Sequence, residues 1–243
     1  MFLCRYTFWP RAQLVRAFID EVLQFYLGAL ILNGQILSGH HIIRDGTSVA
    51  VYCLCPEQDS LDARYNNPLV GERLASLVEV SVAQPDAITL GIVADLRPPC
   101  QCGDPRSYVV FTGSATIEPP VLCGDCGEYV PLYKLPHYGE ETDYYTLLTW
   151  ESTYKACHTL DTNSGVGSRF GSSQCCGASS RLNQDGLDIC RDFTRKTLKP
   201  MYYYLCGSRG RFCRLCGSEW KYLEAPLAKR FFAVCQACGF ATD

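Results

Sequence analysis

Cys213-Arg-Leu-Cys216-Gly217 and Cys235-Gln-Ala-Cys238-Gly239 are two like units with 18 residues between them, the spacing that gathers four thiolates round one zinc ion. Two intervening residues let a tight turn aim both sulfurs at one point. The glycine after each pair can take the left-handed conformation that carries the chain round the metal. Four sulfurs at about 2.3 Å complete a tetrahedral shell with no position for water, so the expected role is structural. Cys100-Gln-Cys102-Gly103 and Cys123-Gly-Asp-Cys126-Gly127 repeat the theme across 20 residues, but the first pair is one residue short. Either it uses a different turn or it leaves one of its cysteines outside the shell. The reading is therefore one zinc site from Cys213, Cys216, Cys235 and Cys238, and a second from Cys100, Cys102, Cys123 and Cys126.

Other chemistry is sparse. The chain has 16 cysteines, and those outside the two clusters lie mostly in apolar patterns, where a free thiol behaves as a small hydrophobe. Cys175-Cys176 falls in a Gly/Ser-rich stretch and is the one weak candidate for a reactive thiol. His40-His41 reads as a turn, and His137 and His158 are isolated, so no catalytic metal motif is visible and no catalytic residue is assigned. An enzymatic role has only this thin support.

The elements that must position these residues follow from periodicity. Phe2 to Trp9 reads as a strand, followed by a helix whose apolar pairs are Leu14/Val15, Phe18/Ile19, Val22/Leu23 and Phe25/Tyr26. Thr47 to Cys53 is a β-branched strand. Asn67 and Pro68 open a helix with Leu69, Val70, Leu74, Leu77 and Val78 on one face, and Ala87 to Val93 is a further strand. A helix follows Thr142 and Asp143, with Leu147, Trp150, Tyr154 and Cys157 inward. Asp161 to Ser180 reads as a loop. A helix over Asn183 to Lys199 turns Leu187, Cys190, Phe193 and Leu198 inward, and Met201 to Leu205 is a strand. The fold class is α+β: an N-terminal α/β layer over 1–97, a zinc-ribbon-like insert over 98–136, a helical middle over 137–200 and a C-terminal Cys4 zinc ribbon over 201–243.

The chain of 243 residues carries a net charge of −3, unevenly spread. Residues 191–243 hold ten Lys+Arg against four Asp+Glu; the other 190 hold twelve against twenty-one. A general nucleic-acid coat is excluded by the acidic body, while the basic tail can make a local footprint. Arg209, Arg211, Arg214, Lys229 and Arg230 are the candidate nucleic-acid contacts, interleaved with Phe212, Trp220, Phe231 and Phe232. Cations neutralise phosphates and aromatics stack on unpaired bases; the same aromatics can equally form the small core of a ribbon. The apolar run Phe25 to Leu32 is well short of the roughly 20 residues that cross a bilayer, and Met1 to Tyr6 lacks the pattern of a secretory leader. No membrane is expected, and the expected address is cytoplasmic.

The succession Asn163-Ser-Gly-Val-Gly-Ser-Arg-Phe170, Ser180-Arg-Leu-Asn183, Ile189-Cys190, Lys199-Pro200-Met-Tyr-Tyr-Tyr-Leu205, Cys213 to Trp220 and Cys235-Gln-Ala-Cys238 resembles an uncharacterised bacterial family of zinc-ribbon-containing proteins to which nucleic-acid binding is ascribed. The resemblance is clear over 145–243 and weak in the N-terminal half. It implies a cytosolic bacterial protein with Cys213, Cys216, Cys235 and Cys238 as zinc ligands. The leading expectation is a zinc-binding, non-catalytic protein that binds nucleic acid through its basic ribbon. The alternative is an adaptor whose ribbons dock a protein partner, with a thiol-dependent enzyme third.

Overall fold

A computed structural model describes residues 1–163, 165–207 and 210–243. The chain forms two compact units. The first comprises Met1–Pro99, Pro131–Leu135 and Thr142–Tyr144; the second comprises Cys100–Val130, Pro136–Glu141 and Tyr145–Asp243.

In the first unit the order is β1 (Phe2–Phe8), α1 (Arg16–Leu32), β2 (His41–Asp45), β3 (Ser48–Cys55), α2 (Pro68–Glu79) and β4 (Asp86–Ile92). The strands lie β2-β3-β1-β4, every neighbour antiparallel, which is the β-α-β-β-α-β arrangement. Side chains alternate across the pleat. Cys4, Tyr6 and Phe8 of β1 and Val49, Val51, Cys53 and Cys55 of β3 face the core, with Cys4 opposite Cys53 and Phe8 opposite Val49. From α1 the buried stripe is Ile19, Leu23, Tyr26, Leu27 and Leu30, whereas Val15, Phe18 and Phe25 are exposed. That stripe is narrower than the apolar pairs suggested, because one strip of helix covers the core. Asn67 caps α2 by accepting from Val70 N–H at 2.8 Å, with Pro68 at the first helical position. His41 is not in a turn. It opens β2, an edge strand of alternating exposure that returns through Gly46 into β3.

Two short segments rejoin this unit from later in the chain. Tyr144 N–H donates to Leu32 O at 2.9 Å, and the Tyr133 hydroxyl lies 2.8 Å from Ser60 Oγ and donates to Glu57 at 2.9 Å.

The second unit contains β5 (Tyr108–Val110), β6 (Val121–Cys123), α3 (Tyr145–Asn163), α4 (Ser168–Cys176), α5 (Arg181–Thr197), β7 (Met201–Tyr204), β8 (Lys221–Leu227), β9 (Phe231–Cys235) and β10 (Phe240–Thr242). Its sheet runs β6-β5-β7-β10-β9-β8. The three central strands β5, β7 and β10 are parallel, and the outer pairings are antiparallel. The segment expected as a separate insert and the tail expected as a separate ribbon are thus strands of one sheet. Tyr203 of β7 is wholly buried and fixes α5 to the sheet. Its hydroxyl donates to Asn183 Oδ1 at 2.7 Å, and its ring fills the space a side chain on Gly186 would need. Trp150 of α3 meets the same ring edge-on at 5.5 Å.

Three expectations are corrected here. The stretch 161–180 is largely helical: α3 runs to Asn163, and α4 follows, with Gly171 packed against the Cys157 carbonyl where a β-carbon would come within 2.4 Å. The small residues read as loop signals are what permits this close helix contact. Next, α5 begins at Arg181, because Ser180 caps it by accepting from Asn183 N–H at 3.2 Å. Finally, Leu198 is not inward but 88% exposed, since it takes the left-handed conformation that ends α5. Among the described residues no helix is long and apolar enough to cross a membrane.

Candidate metal centres

Three chain segments make the same turn. In Cys123–Gly127, Cys213–Gly217 and Cys235–Gly239 the glycine N–H donates to the carbonyl of the first cysteine at 2.9, 2.9 and 2.8 Å. The three glycines have φ of +79, +73 and +85°, the left-handed region that a β-carbon disfavours. Each turn is closed by a strand-like pairing. Cys123 N–H donates to Glu128 O at 2.8 Å, Cys213 N–H to Ser218 O at 2.7 Å, and Cys235 pairs with Phe240 across β9 and β10. The two residues between the cysteines thus form a turn whose ends are held, and both sulfurs emerge on one side.

The fourth segment, Cys100-Gln-Cys102, turns differently. Cys100 is anchored by its N–H to Tyr129 O at 2.8 Å, and Cys102 N–H donates to the Cys100 sulfur at 3.3 Å. An N–H aimed at sulfur favours the thiolate. Of the two alternatives left open by the short spacing, the structure takes the different turn. The sulfurs of Cys100, Cys102, Cys123 and Cys126 all lie within 4.8 Å of one another, as do those of Cys213, Cys216, Cys235 and Cys238. Among the described residues these are the two groups of three or more His, Cys, Asp or Glu placed to hold one ion.

The electrostatics of the two groups are those of crowded thiols. Burial raises the thiols of Cys100, Cys235 and Cys238, since a lone thiolate is poorly solvated there. Only the exposed Cys216 goes strongly the other way, lowered to about 6 by hydrogen bonds from the Ser218 hydroxyl and backbone. A divalent ion at the centre reverses the penalty and deprotonates its ligands. Both groups can hold a metal ion.

The two groups bracket one hairpin. The β8–β9 turn, Leu227 to Arg230, has Ala228 and Lys229 at φ of +50 and +56°, a conformation usually left to glycine or asparagine. Ala228 N–H donates to Gly124 O at 2.7 Å, and Gly127 lies so close that a β-carbon there would approach Ala228 O to 2.6 Å. The first cluster's knuckle therefore holds the turn end of the hairpin. At the far end of β9, five residues or roughly 14 Å away, Cys235 belongs to the second cluster.

The candidate nucleic-acid residues divide accordingly. Arg211 and Arg214 are exposed on the first limb of the second cluster, Arg211 paired with Glu219 at 2.8 Å. Lys229 and Arg230 are exposed on the turn held by the first cluster, the Arg230 guanidinium 4.2 Å above the Phe111 ring. Arg209 lies outside the described residues. Of the interleaved aromatics, Trp220 and Phe231 are buried as ribbon core, while Phe212 and Phe232 are about half exposed. Tyr222 on β8, absent from the residues chosen by sequence, is more exposed than either; its place next to Lys221 on an edge strand was the available signal. His158 is structural: its Nδ1 contacts Ser114 Oγ at 3.0 Å and its ring stacks on Tyr154.

Residues 102–206 match the model of a domain of unknown function (DUF2310), and residues 1–91 match a second (DUF8589). An uncharacterised protein of Haemophilus influenzae is 25% identical over 231 residues, covering 87% of this chain and 85% of that protein. Solved structures overlap about two-fifths of the chain. An antibiotic biosynthesis monooxygenase is 11% identical over 38% of this chain and 99% of its own, with a TM-score of 0.29. A protein of unknown function from Nitrosomonas europaea is 12% identical over 41% and 96%, with a TM-score of 0.31. Scores this low carry neither fold nor function across. The two domain models match separate parts of the chain, and the Haemophilus influenzae relative, itself uncharacterised, spans most of it.

Proposed function

We propose that this is a non-catalytic zinc protein of the zinc-ribbon kind, in which two structural Cys4 sites hold an edge hairpin that binds nucleic acid. The donor chemistry supports zinc. Bonds of about 2.3 Å to four sulfurs in a tetrahedron set the sulfurs about 3.8 Å apart, and the second cluster has pairs at 3.5 and 4.0 Å. Cys213, Cys216, Cys235 and Cys238 would hold one ion and Cys100, Cys102, Cys123 and Cys126 the other. Bound zinc would supply cross-linking and charge neutralisation, with no open position for a substrate. Sixteen free cysteines fit a reducing compartment such as the cytoplasm.

The observation that carries the nucleic-acid reading is the hairpin itself. It presents Lys229 and Arg230 at one end, adjoins Arg211 and Arg214 at the other, and exposes Tyr222 and Phe232 between, one on each face by the Tyr222–Ala233 register. Cations spaced along a ribbon with intervening aromatic faces suit an unpaired strand, whose phosphates and bases both find partners. The test is binding of nuclease-treated, zinc-loaded protein to single- and double-stranded DNA and RNA across a salt titration. Saturable binding with a steep salt slope supports the reading. No binding at low salt overturns it in favour of the adaptor, whose docking surfaces would be the ribbons themselves.

A further inference from the structure

Of the eight cysteines outside the two clusters, six are buried: Cys4, Cys53, Cys55, Cys157, Cys175 and Cys190. The two that reach solvent, Cys176 and Cys206, lie side by side. The Cys206 and Cys176 side chains are close enough to interact, and a β-carbon built on Gly207, next to Cys206, would lie 3.9 Å from the Cys176 sulfur. Cys176 is the last residue of α4, and Cys206 follows the end of β7. Their approach is built in by one residue. Asn183, fully buried, donates from Nδ2 to the carbonyls of Cys175 at 3.1 Å and Gly177 at 2.9 Å, on either side of Cys176. Its Oδ1 accepts from the Tyr203 hydroxyl, three residues before Cys206. The end of the helix and the end of the strand are thus fastened to the same side chain.

We propose that Cys176 and Cys206 are a reversible oxidation site, which hydrogen peroxide converts to an intrachain disulfide while both Cys4 clusters keep their metal. The Cys176 sulfur attacks one peroxide oxygen, the O–O bond breaks, and water leaves with the Cys176 proton, giving a sulfenic acid. The Cys206 sulfur then attacks the Cys176 sulfur, the S–O bond breaks, and a second water carries off the Cys206 proton. Two thiols are oxidised by two electrons and one peroxide is reduced to two waters. The order follows from environment. Burial, with the neighbouring Cys176 thiol second, pushes the Cys206 thiol up to about 12, so Cys206 is the poorer first nucleophile and acts as the resolving thiol. The bond closes a loop across α5 and β7 and ties α4 to the sheet. Cluster thiols are protected differently, because a metal-bound thiolate has its charge neutralised.

The test uses the full-length, zinc-loaded chain treated with one equivalent of hydrogen peroxide, with zinc release followed by a chromogenic chelator. Remaining thiols are then alkylated and the protein digested without reduction. The expected product is a linked pair of peptides carrying Cys176 and Cys206, about 2 Da below their summed mass, with zinc retained and with reversal by dithiothreitol. In Cys206→Ser, dimedone should label Cys176; in Cys176→Ser, Cys206 should stay unlabelled. Both variants should keep the metal content of the parent chain, which separates loss of the bond from misfolding. Full alkylation of Cys176 and Cys206 after peroxide would overturn the proposal, as would linkage of either to a third cysteine or a bond that forms only once zinc is released.

Discussion

The two cysteine clusters share a donor set and differ in what they hold. The second closes on its own neighbourhood: its limbs are the hairpin Phe212 to Glu219 and the β9–β10 turn, both within the last 33 residues. The first joins distant segments. Cys100 leans on Tyr129, Gly124 N–H donates to Ser107 O at 2.8 Å, and Gly124 O receives Ala228 N–H from a turn a hundred residues on. That turn keeps two non-glycine residues left-handed, a conformation that costs about 1–2 kcal/mol per residue and persists only where the surroundings fix it. The regular cluster is thus a local staple, and the irregular one fixes the conformation of another element.

Loss of a ligand should separate the two most strongly. Cys126→Ser and Cys216→Ser should each lower the metal content by one ion and destabilise the second unit by several kcal/mol, because binding and folding are coupled; metal analysis and urea unfolding check this. Only Cys126→Ser should also speed tryptic cleavage after Lys229 and Arg230, since only the first cluster holds that turn. Equal acceleration in both variants would erase the distinction. A smaller effect is expected at the glycines. Gly127→Ala should cost about 3 kcal/mol, from left-handed strain plus overlap with Ala228 O. Gly217→Ala has the same backbone strain but open space around it, and should cost about 1 kcal/mol. Asp125 sharpens the contrast further, because its carboxylate accepts from the Arg106 backbone and side chain, both at 2.8 Å. Asp125→Ala should cost about 1 kcal/mol and leave the second cluster's metal affinity unchanged. Least disruptive to the fold is Lys229→Ala with Arg230→Ala. Stability should hold, and the salt slope for a single strand should fall by roughly one to one and a half.

Periodicity and spacing made the second cluster, the N-terminal layer and the faces of α3 and α5 legible, because each rests on local rules. Leu147, Trp150, Tyr154 and Cys157 fall on one side of α3, and all four are buried. What escaped depends on distant partners. Ala228 and Lys229 carry no local signal for a left-handed turn, since Gly124 and Gly127 impose it. Ser168 to Cys176 is poor in apolar residues and becomes a helix because Gly171 lets it press on α3. The edge strand β2 begins in polar His41, and its pairing with β3 decides its state. Trp220 and Phe231 followed the same sequence pattern as Phe212 and Phe232, and only the sheet register separates the buried pair from the exposed pair.

With four sulfurs gathered in each, the irregular cluster is expected to be a complete site equal in kind to the regular one. Native mass spectrometry of the purified chain, with alkylation mapping of its thiols, tests it directly. The expected result is two zinc ions per chain, with Cys100, Cys102, Cys123 and Cys126 protected to the same degree as Cys213, Cys216, Cys235 and Cys238. One zinc per chain, with Cys100 and Cys102 freely alkylated while the last four cysteines stay protected, would contradict it.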